Sequence, residues 1–292
     1  MIKNCLKFIL AVAAYIVAFM VASGFMPYSK GFLEFSDLII EQHPIALVAQ
    51  LVNYAWICFT IYFIIKHTPY TGKKLFVRMF YVLFFTIFFI TFFGAMYSDN
   101  AFEGKVTRLD FLFVMFTGLI SLLVTIPLMI KLFGKKTEDT AIIEIRKLDI
   151  KTTAQILMFC GLLYMVVYFL FAFFVQWQFV EFRNFYSDTQ WGQAAWGDDR
   201  SALFPWLSIT FIRGVLNGLF VLPLLSMITK NKRTFIIGLC LIYLAPAVNH
   251  VAPNPMFPDT VRLLHLTGMA GSMLFFGLIV GNILWKKTKN NG

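Results

Sequence analysis

The sequence predicts an all-α integral membrane protein, a single helical bundle with eight transmembrane spans and both termini in the cytoplasm. Three observations carry that prediction. The first is composition: 59% of the 292 residues are hydrophobic, 14% are charged and 35 are Phe, against about 45–50% apolar and about 25% charged in soluble domains. So little polar material cannot cover a water-facing surface, which makes lipid the outer solvent. The second is the arrangement of the apolar residues in eight continuous runs near the roughly 20 residues that a helix needs to cross hydrocarbon. A barrel would instead show short segments of alternating polarity. The third is charge. The segments between runs alternate basic and acidic, with 18 of 25 Lys and Arg on the side of the termini and 11 of 15 Asp and Glu on the other. This is the positive-inside pattern, obeyed at every loop. It also accounts for the net charge of +10 without a nucleic-acid partner; the expected partner is the lipid bilayer.

The spans read in order as 6–26, 45–65, 79–97, 109–131, 153–178, 206–229, 234–252 and 261–285. The first follows Lys3 and Lys7 and contains Val21-Ala22-Ser23, which resembles a signal cleavage site. Its apolar run from Phe8 to Phe25 exceeds the 7–15 residues of a typical signal core, so it is expected to stay as a helix. Between the fourth and fifth spans, Thr137 followed by Glu138 and Asp139 suits a helix start. Ile142, Ile145 and Leu148 then recur at helical spacing, so a short interfacial helix is expected there. The fourth and sixth spans carry Pro127 and Pro223 toward their cytoplasmic ends, and each proline removes a backbone hydrogen bond and bends its helix.

A weak internal repeat runs through the middle of the chain. Tyr97-Ser98-Asp99-Asn100 parallels Tyr186-Ser187-Asp188-Thr189, and Gly118, Leu123, Pro127 and Leu128 parallel Gly214, Leu219, Pro223 and Leu224. Both blocks occur in order and at the same depth, as duplication of a helical hairpin would leave them. Chance similarity of apolar segments is the competing account. Repeat interfaces near mid-membrane commonly hold the sites of transporters.

Candidate site residues are the polar groups inside spans, because a charge there costs at least a few kcal/mol. Span six carries Thr210, Arg213 and Asn217 on one helical face; span eight carries Arg262 and His265, then Gly268 and Ser272. Span four carries Asp110, Thr117 and Ser121, and span two His43, Gln50, Asn53 and Tyr54. The even spans are therefore expected to face one another around a polar pocket opening to the outside. Arg213 supplies the charge there, with Asn217, Arg262 and His265 as orienting donors and Asp110 as counter-ion or proton acceptor. A buried Arg–Asp pair that only locks helices together is the structural alternative.

Two outer loops stand out. Residues 181–205 hold Trp191-Gly192, Trp196-Gly197, Asp198, Asp199 and Arg200; so long a connection is often functional, although Trp at this depth is also an interfacial anchor. Residues 249–259 place three prolines just before span eight and stiffen its start.

No serine-hydrolase, zinc-protease or nucleotide-binding motif occurs in a usable context. Asp198, Asp199 and His265 are the acid and base candidates an enzyme would have on the outer side, and their spacing does not bring them together. Cys5, Cys58, Cys160 and Cys240 show no metal or redox spacing and are expected as small packing residues. Of the four histidines, His67 is on the opposite side, and His250 and His265 are the one pair expected on the same side and near one another. No cofactor and no metal site are expected. The function read from these features is a multi-pass protein of a prokaryotic plasma (cell inner) membrane. Its outward pocket binds or transports a small polar or anionic solute or a lipid headgroup. The alternatives are a non-transporting partner of another membrane protein, using the loop at 133–152 or the Trp-rich loop, and an intramembrane enzyme on a lipid-linked substrate.

Overall fold

The structure, a computed structural model, describes residues 2–42, 46–95, 106–137, 148–186, 203–228, 231–253 and 257–289. Among them all regular structure is helical, and eight helices are long and apolar enough to cross a membrane. These are span 1 (Ile2–Gly24), span 2 (Val48–His67), span 3 (Gly72–Phe93), span 4 (Arg108–Phe133), span 5 (Ile150–Gln176), span 6 (Phe204–Met227), span 7 (Lys232–Val251) and span 8 (Asp259–Thr288). All eight expected spans are present, so the chain has the build of a multi-pass membrane protein. Two shorter helices, Lys30–Gln42 and Val180–Tyr186, fall in segments read as loops. The expected interfacial helix after Thr137, the Trp191–Trp196 segment, Tyr97-Ser98-Asp99-Asn100 and His43 lie outside the described residues.

Local chemistry sets the helix starts. Thr107 opens span 4 with a capping box: its hydroxyl accepts from Asp110 N, and the Asp110 carboxylate accepts from Thr107 N. Asp149 accepts from Thr152 N at 2.8 Å and Asn231 from Thr234 N at 2.8 Å, capping spans 5 and 7. Gly72 has φ +55° where the chain turns into span 3, a conformation that any residue with a Cβ adopts only under strain.

The interiors of two spans depart from the α-helix. Span 3 is π-helical over Phe84–Phe89 and span 5 over Ala172–Gln176. The two prolines behave differently. Pro127 sits inside a continuous helix, whereas Pro223 lies at a break where Leu222 N, Leu224 N and Leu225 N each bond three residues back.

Taking the principal contacts, the spans form a ring in the order 1–4–3–6–5–8–7–2 and back to 1. Odd and even spans alternate, so each is antiparallel to both ring neighbours. The first helix of each sequential pair packs on its own partner and on the second helix of the following pair. Spans 3 and 7 also touch across the ring, dividing it into a lobe completed by spans 1, 2 and 4 and a lobe completed by spans 5, 6 and 8. One apolar cluster joins all eight, from Tyr15, Ile57, Met79 and Leu122 to Cys160, Val221, Leu239 and Phe276.

Side chains tie the two faces of the ring. At the face carrying both chain ends, Lys7 Nζ donates to Leu132 O at 2.8 Å and Thr71 Oγ1 to Lys135 O at 2.8 Å. At the opposite face Ser29 N donates to Asp110 Oδ1 at 2.7 Å. The alternation corrects one expectation. Only spans 2 and 4 are in substantial even–even contact, while spans 6 and 8 sit chiefly between odd spans. Loop length does not set this order, since spans 2 and 3, separated by residues 68–71, and spans 6 and 7, separated by residues 228–231, are not ring neighbours. Close backbone approach at glycines, as where Gly214 meets span 5, does so instead of convergence of the polar stripes.

Candidate functional site

Three glycines create the surroundings of Arg213. A Cβ on Gly214 would lie 2.6 Å from Cys160 O and 2.8 Å from Gly161 Cα, so the backbones of spans 5 and 6 nearly touch. Gly218 continues the seam against Cys160. This close approach brings the Arg213 guanidinium within 5.8 Å of the Tyr164 ring centroid. Tyr164 packs edge-on against Phe276 of span 8 at 5.4 Å, and Phe276 against Tyr243 of span 7 at 5.3 Å. Tyr243 OH closes the circuit by donating to Asn217 O at 3.0 Å. Spans 5, 6, 7 and 8 thus meet around Arg213 and Asn217.

Two atoms in this setting are left over. Arg213 Nε and Asn217 Oδ1 are buried and have no hydrogen-bond partner. Asn217 Nδ2 donates locally to Arg213 O at 2.9 Å, which turns the amide oxygen away from that carbonyl. A donor and an acceptor one turn apart are therefore both unsatisfied, where each such group costs about 1–3 kcal/mol. Among the described residues no carboxylate forms an ion pair with Arg213, whereas Lys30 pairs with Glu34 and Arg262 with Asp259. Toward the chain-end face, Phe220 fills the seam between spans 3 and 6, with ring centroids 5.8 Å from Tyr81, 4.8 Å from Phe85 and 6.0 Å from Phe89.

Asp110 is elsewhere and fully engaged. Its carboxylate accepts from Ser29 N at 2.7 Å, Ser29 Oγ at 2.6 Å, Thr107 N at 2.7 Å and Thr107 Oγ1 at 2.7 Å. It pins the segment after span 1 to the start of span 4, and it is not the counter-ion of Arg213. Arg262 is likewise committed. Nη1 donates to His250 O at 2.8 Å and Val251 O at 2.9 Å, while Nε and Nη2 reach Asp259 Oδ1 at 3.1 and 2.9 Å. It clamps the end of span 7 to the start of span 8, so its donors face protein instead of a ligand.

His265 belongs to a second cluster, with its ring 5.4 Å from His250, 5.2 Å from Phe182 and 5.0 Å from Phe257. Gln176 Nε2 stands 3.5 Å from its Nδ1 and donates to Leu264 O at 3.2 Å. The structure does bring His250 and His265 together, with rings 23° from parallel. No group of three His, Cys, Asp or Glu able to hold a metal occurs among the described residues. No hydrogen bond, ion pair or ring contact joins this cluster to Arg213 or Asn217 among those residues.

Of the five candidates, then, Arg213 and Asn217 form one unit, Arg262 and His265 line a separate cluster, and Asp110 caps a distant helix. Sequence reasoning overlooked Tyr243 and Gln176, which hydrogen-bond across spans to Asn217 O and Leu264 O; their hydrogen-bonding side chains within membrane-length runs were the available signal. Cys58, Cys160 and Cys240 are buried and Cys5 is exposed, all as free thiols. Their packing role is visible where Cys160 and Cys240 fill the space beside Gly218 and Gly277. No family model, no curated protein and no solved structure matches this chain.

Proposed function

We propose that this protein binds, and carries across the plasma membrane of a prokaryote, a small anionic or polar solute or lipid headgroup. The site is Arg213 with Asn217, approached from the side opposite the chain ends, which lie in the cytoplasm. The observation that supports this reading is the pair of buried, unpartnered atoms, Arg213 Nε and Asn217 Oδ1. A guanidinium N–H and an amide oxygen one turn apart match a solute with one anionic oxygen and one hydroxyl or amine. Tyr164, Tyr168 and Tyr243 would give such a solute apolar walls with polar tips. The Phe220, Tyr81, Phe85 and Phe89 cluster would close the path toward the chain-end face. The break at Pro223 and the π-helical turn at Phe84–Phe89 flank that closure, and both are departures at which helices bend.

Duplication of a hairpin fits the same reading. The paired spans 3 and 5 each contain a π-helical turn, and the aligned residues Phe84 and Phe85 correspond to Phe173 and Phe174. The unequal behaviour of Pro127 and Pro223 then marks divergence of the two copies.

The test uses purified protein and a panel of small organic and inorganic anions, read by thermal shift. Some anion is expected to stabilise the wild type by several degrees and to lose that effect in Arg213→Gln and Asn217→Ala. An Asn217→Cys variant should also react with a membrane-impermeant thiol reagent added on the side opposite the chain ends. If Arg213→Gln folds normally and every ligand-induced shift survives, the site is wrong.

A further inference from the structure

A second arginine shares the leftover donor chemistry of Arg213, at the other face of the protein. Arg78 is on the second turn of span 3, and helical side chains lean back toward the helix start. Its guanidinium accordingly returns to the turn before the span, where it lies 3.9 Å from the centroid of the Tyr70 ring. Tyr70 is buried, and its backbone N–H donates to Thr68 Oγ1 at 3.3 Å, so the platform under the guanidinium is fixed. Arg78 Nη1 is buried and has no hydrogen-bond partner, while the residue as a whole remains partly exposed. Stacking on an aromatic face satisfies the positive charge but uses none of the in-plane N–H groups, which stay available to an oxyanion.

The surroundings select the sign of the ligand. Lys73 and Lys74 are exposed on the preceding turn, and Thr71 Oγ1, by bonding Lys135 O, brings the end of span 4 alongside with exposed Lys131, Lys135 and Lys136. Residues 66–78 and 131–137 contain seven Lys and Arg and no Asp or Glu. Beside Arg78, Val77 is 52% exposed on the outer surface of the helix, where an acyl chain would lie.

We propose that Arg78, seated on Tyr70 and flanked by Lys73 and Lys74, is a binding site for a phosphate oxyanion, with the exposed Val77 favouring the headgroup of an anionic phospholipid over free phosphate. The planar guanidinium takes two phosphate oxygens in its fork, and the neighbouring lysines add positive charge. This site does not depend on the reading of Arg213.

Protein in phosphatidylcholine nanodiscs is compared with protein in nanodiscs containing phosphatidylglycerol, and with phosphatidylcholine nanodiscs plus inorganic phosphate. Stabilisation by phosphatidylglycerol of about 5 °C near saturation is expected, with affinity falling at least about tenfold in Arg78→Gln and unchanged in Lys30→Gln, which removes an exposed charge away from both arginines. An equal response to inorganic phosphate, lost in Arg78→Gln, assigns the site to free phosphate instead. Arg78→Lys keeps the charge but not the fork and should recover only part of the effect. Should Arg78→Gln not fold, the surface double variant Lys73→Gln/Lys74→Gln is the substitute, with an expected affinity loss of about fivefold or more. No stabilisation by either probe, or the same stabilisation in the charge-removing variants, overturns the proposal.

Discussion

Asp110 and Arg213 are both charged residues inside membrane-length helices, yet their surroundings are opposite. Asp110 receives four hydrogen bonds from Ser29 and Thr107, whereas Arg213 keeps a buried nitrogen with no partner. Substitutions should separate the two roles. Asp110→Ala removes a helix cap and a set of charge-assisted bonds and is expected to destabilise the protein by about 2–4 kcal/mol. Arg213→Leu removes an unsatisfied donor from the interior, where apolar replacement of a buried charge is often neutral or favourable. It is expected to leave stability unchanged or raise it by about 1–2 kcal/mol while abolishing anion-induced stabilisation. Equilibrium unfolding in detergent or bicelles measures both. A large loss of stability in Arg213→Leu would show that Arg213 holds the helices together and serves no ligand. The adjacency of Arg213 and Asn217 was legible in the chain, because positions four apart share a helix face. So was the true role of Asp110: Thr107 three residues before Asp110 is the spacing of a capping box, and it outranks a long-range ion pair because it forms locally.

At the scale of elements, span partners are chosen by steric fit. Lipid tails are as apolar as leucine, so hydrophobicity cannot distinguish one helix neighbour from another. What distinguishes them is where backbones can approach. Gly214 meets the backbone of span 5, with Cys160 O and Gly161 Cα inside 3 Å of an added Cβ, whereas Gly24 has nothing within 4 Å. Gly214→Ala is therefore expected to cost about 1–3 kcal/mol through forced separation of spans 5 and 6, and to weaken anion binding by moving Tyr164 from Arg213. Gly24→Ala should be close to neutral. Thermal unfolding of the two variants side by side checks this, and equal effects would contradict the seam. The helices Lys30–Gln42 and Val180–Tyr186 escaped sequence reading because they are short and mixed in polarity. The early start of span 3 at Gly72 escaped it because Lys73, Lys74 and Arg78 interrupt the apolar run. A helix continues through such residues when their long side chains reach the interface, as Arg78 does by returning to Tyr70.

For the whole molecule, the ring order has a direct test in the contact between spans 5 and 8, which are not consecutive. A Cβ on Gly268 would stand 2.9 Å from Gln176 Cγ, close enough for the two positions to meet disulfide geometry after small adjustment. The double variant Gln176→Cys/Gly268→Cys is expected to crosslink under mild oxidation, read as an intramolecular disulfide by mass spectrometry, with each single variant as control. Failure to form that bond in folded protein would remove the 5–8 contact and the ring built on it. The lobe of spans 5, 6 and 8 with spans 3 and 7 holds the Arg213 site, and the chain-end face of span 3 holds Arg78. The two arginines with a buried, unbonded nitrogen therefore stand toward opposite ends of the adjacent spans 3 and 6, with the Phe220 cluster between them.

The number of spans, their approximate limits and the placement of both chain ends on one face follow from the chain alone, because run length and flanking charge act locally and each span must satisfy its own backbone in hydrocarbon. Only the tertiary structure decided that odd and even spans alternate around a ring, that Asp110 bonds Ser29 and Thr107 and is not paired with Arg213, and that Arg213 and Arg78 each keep a buried nitrogen unpaired. Those outcomes depend on which glycine faces which backbone and which ring fills the gap beside it, and such steric matches between distant segments leave no trace in the hydropathy of either one.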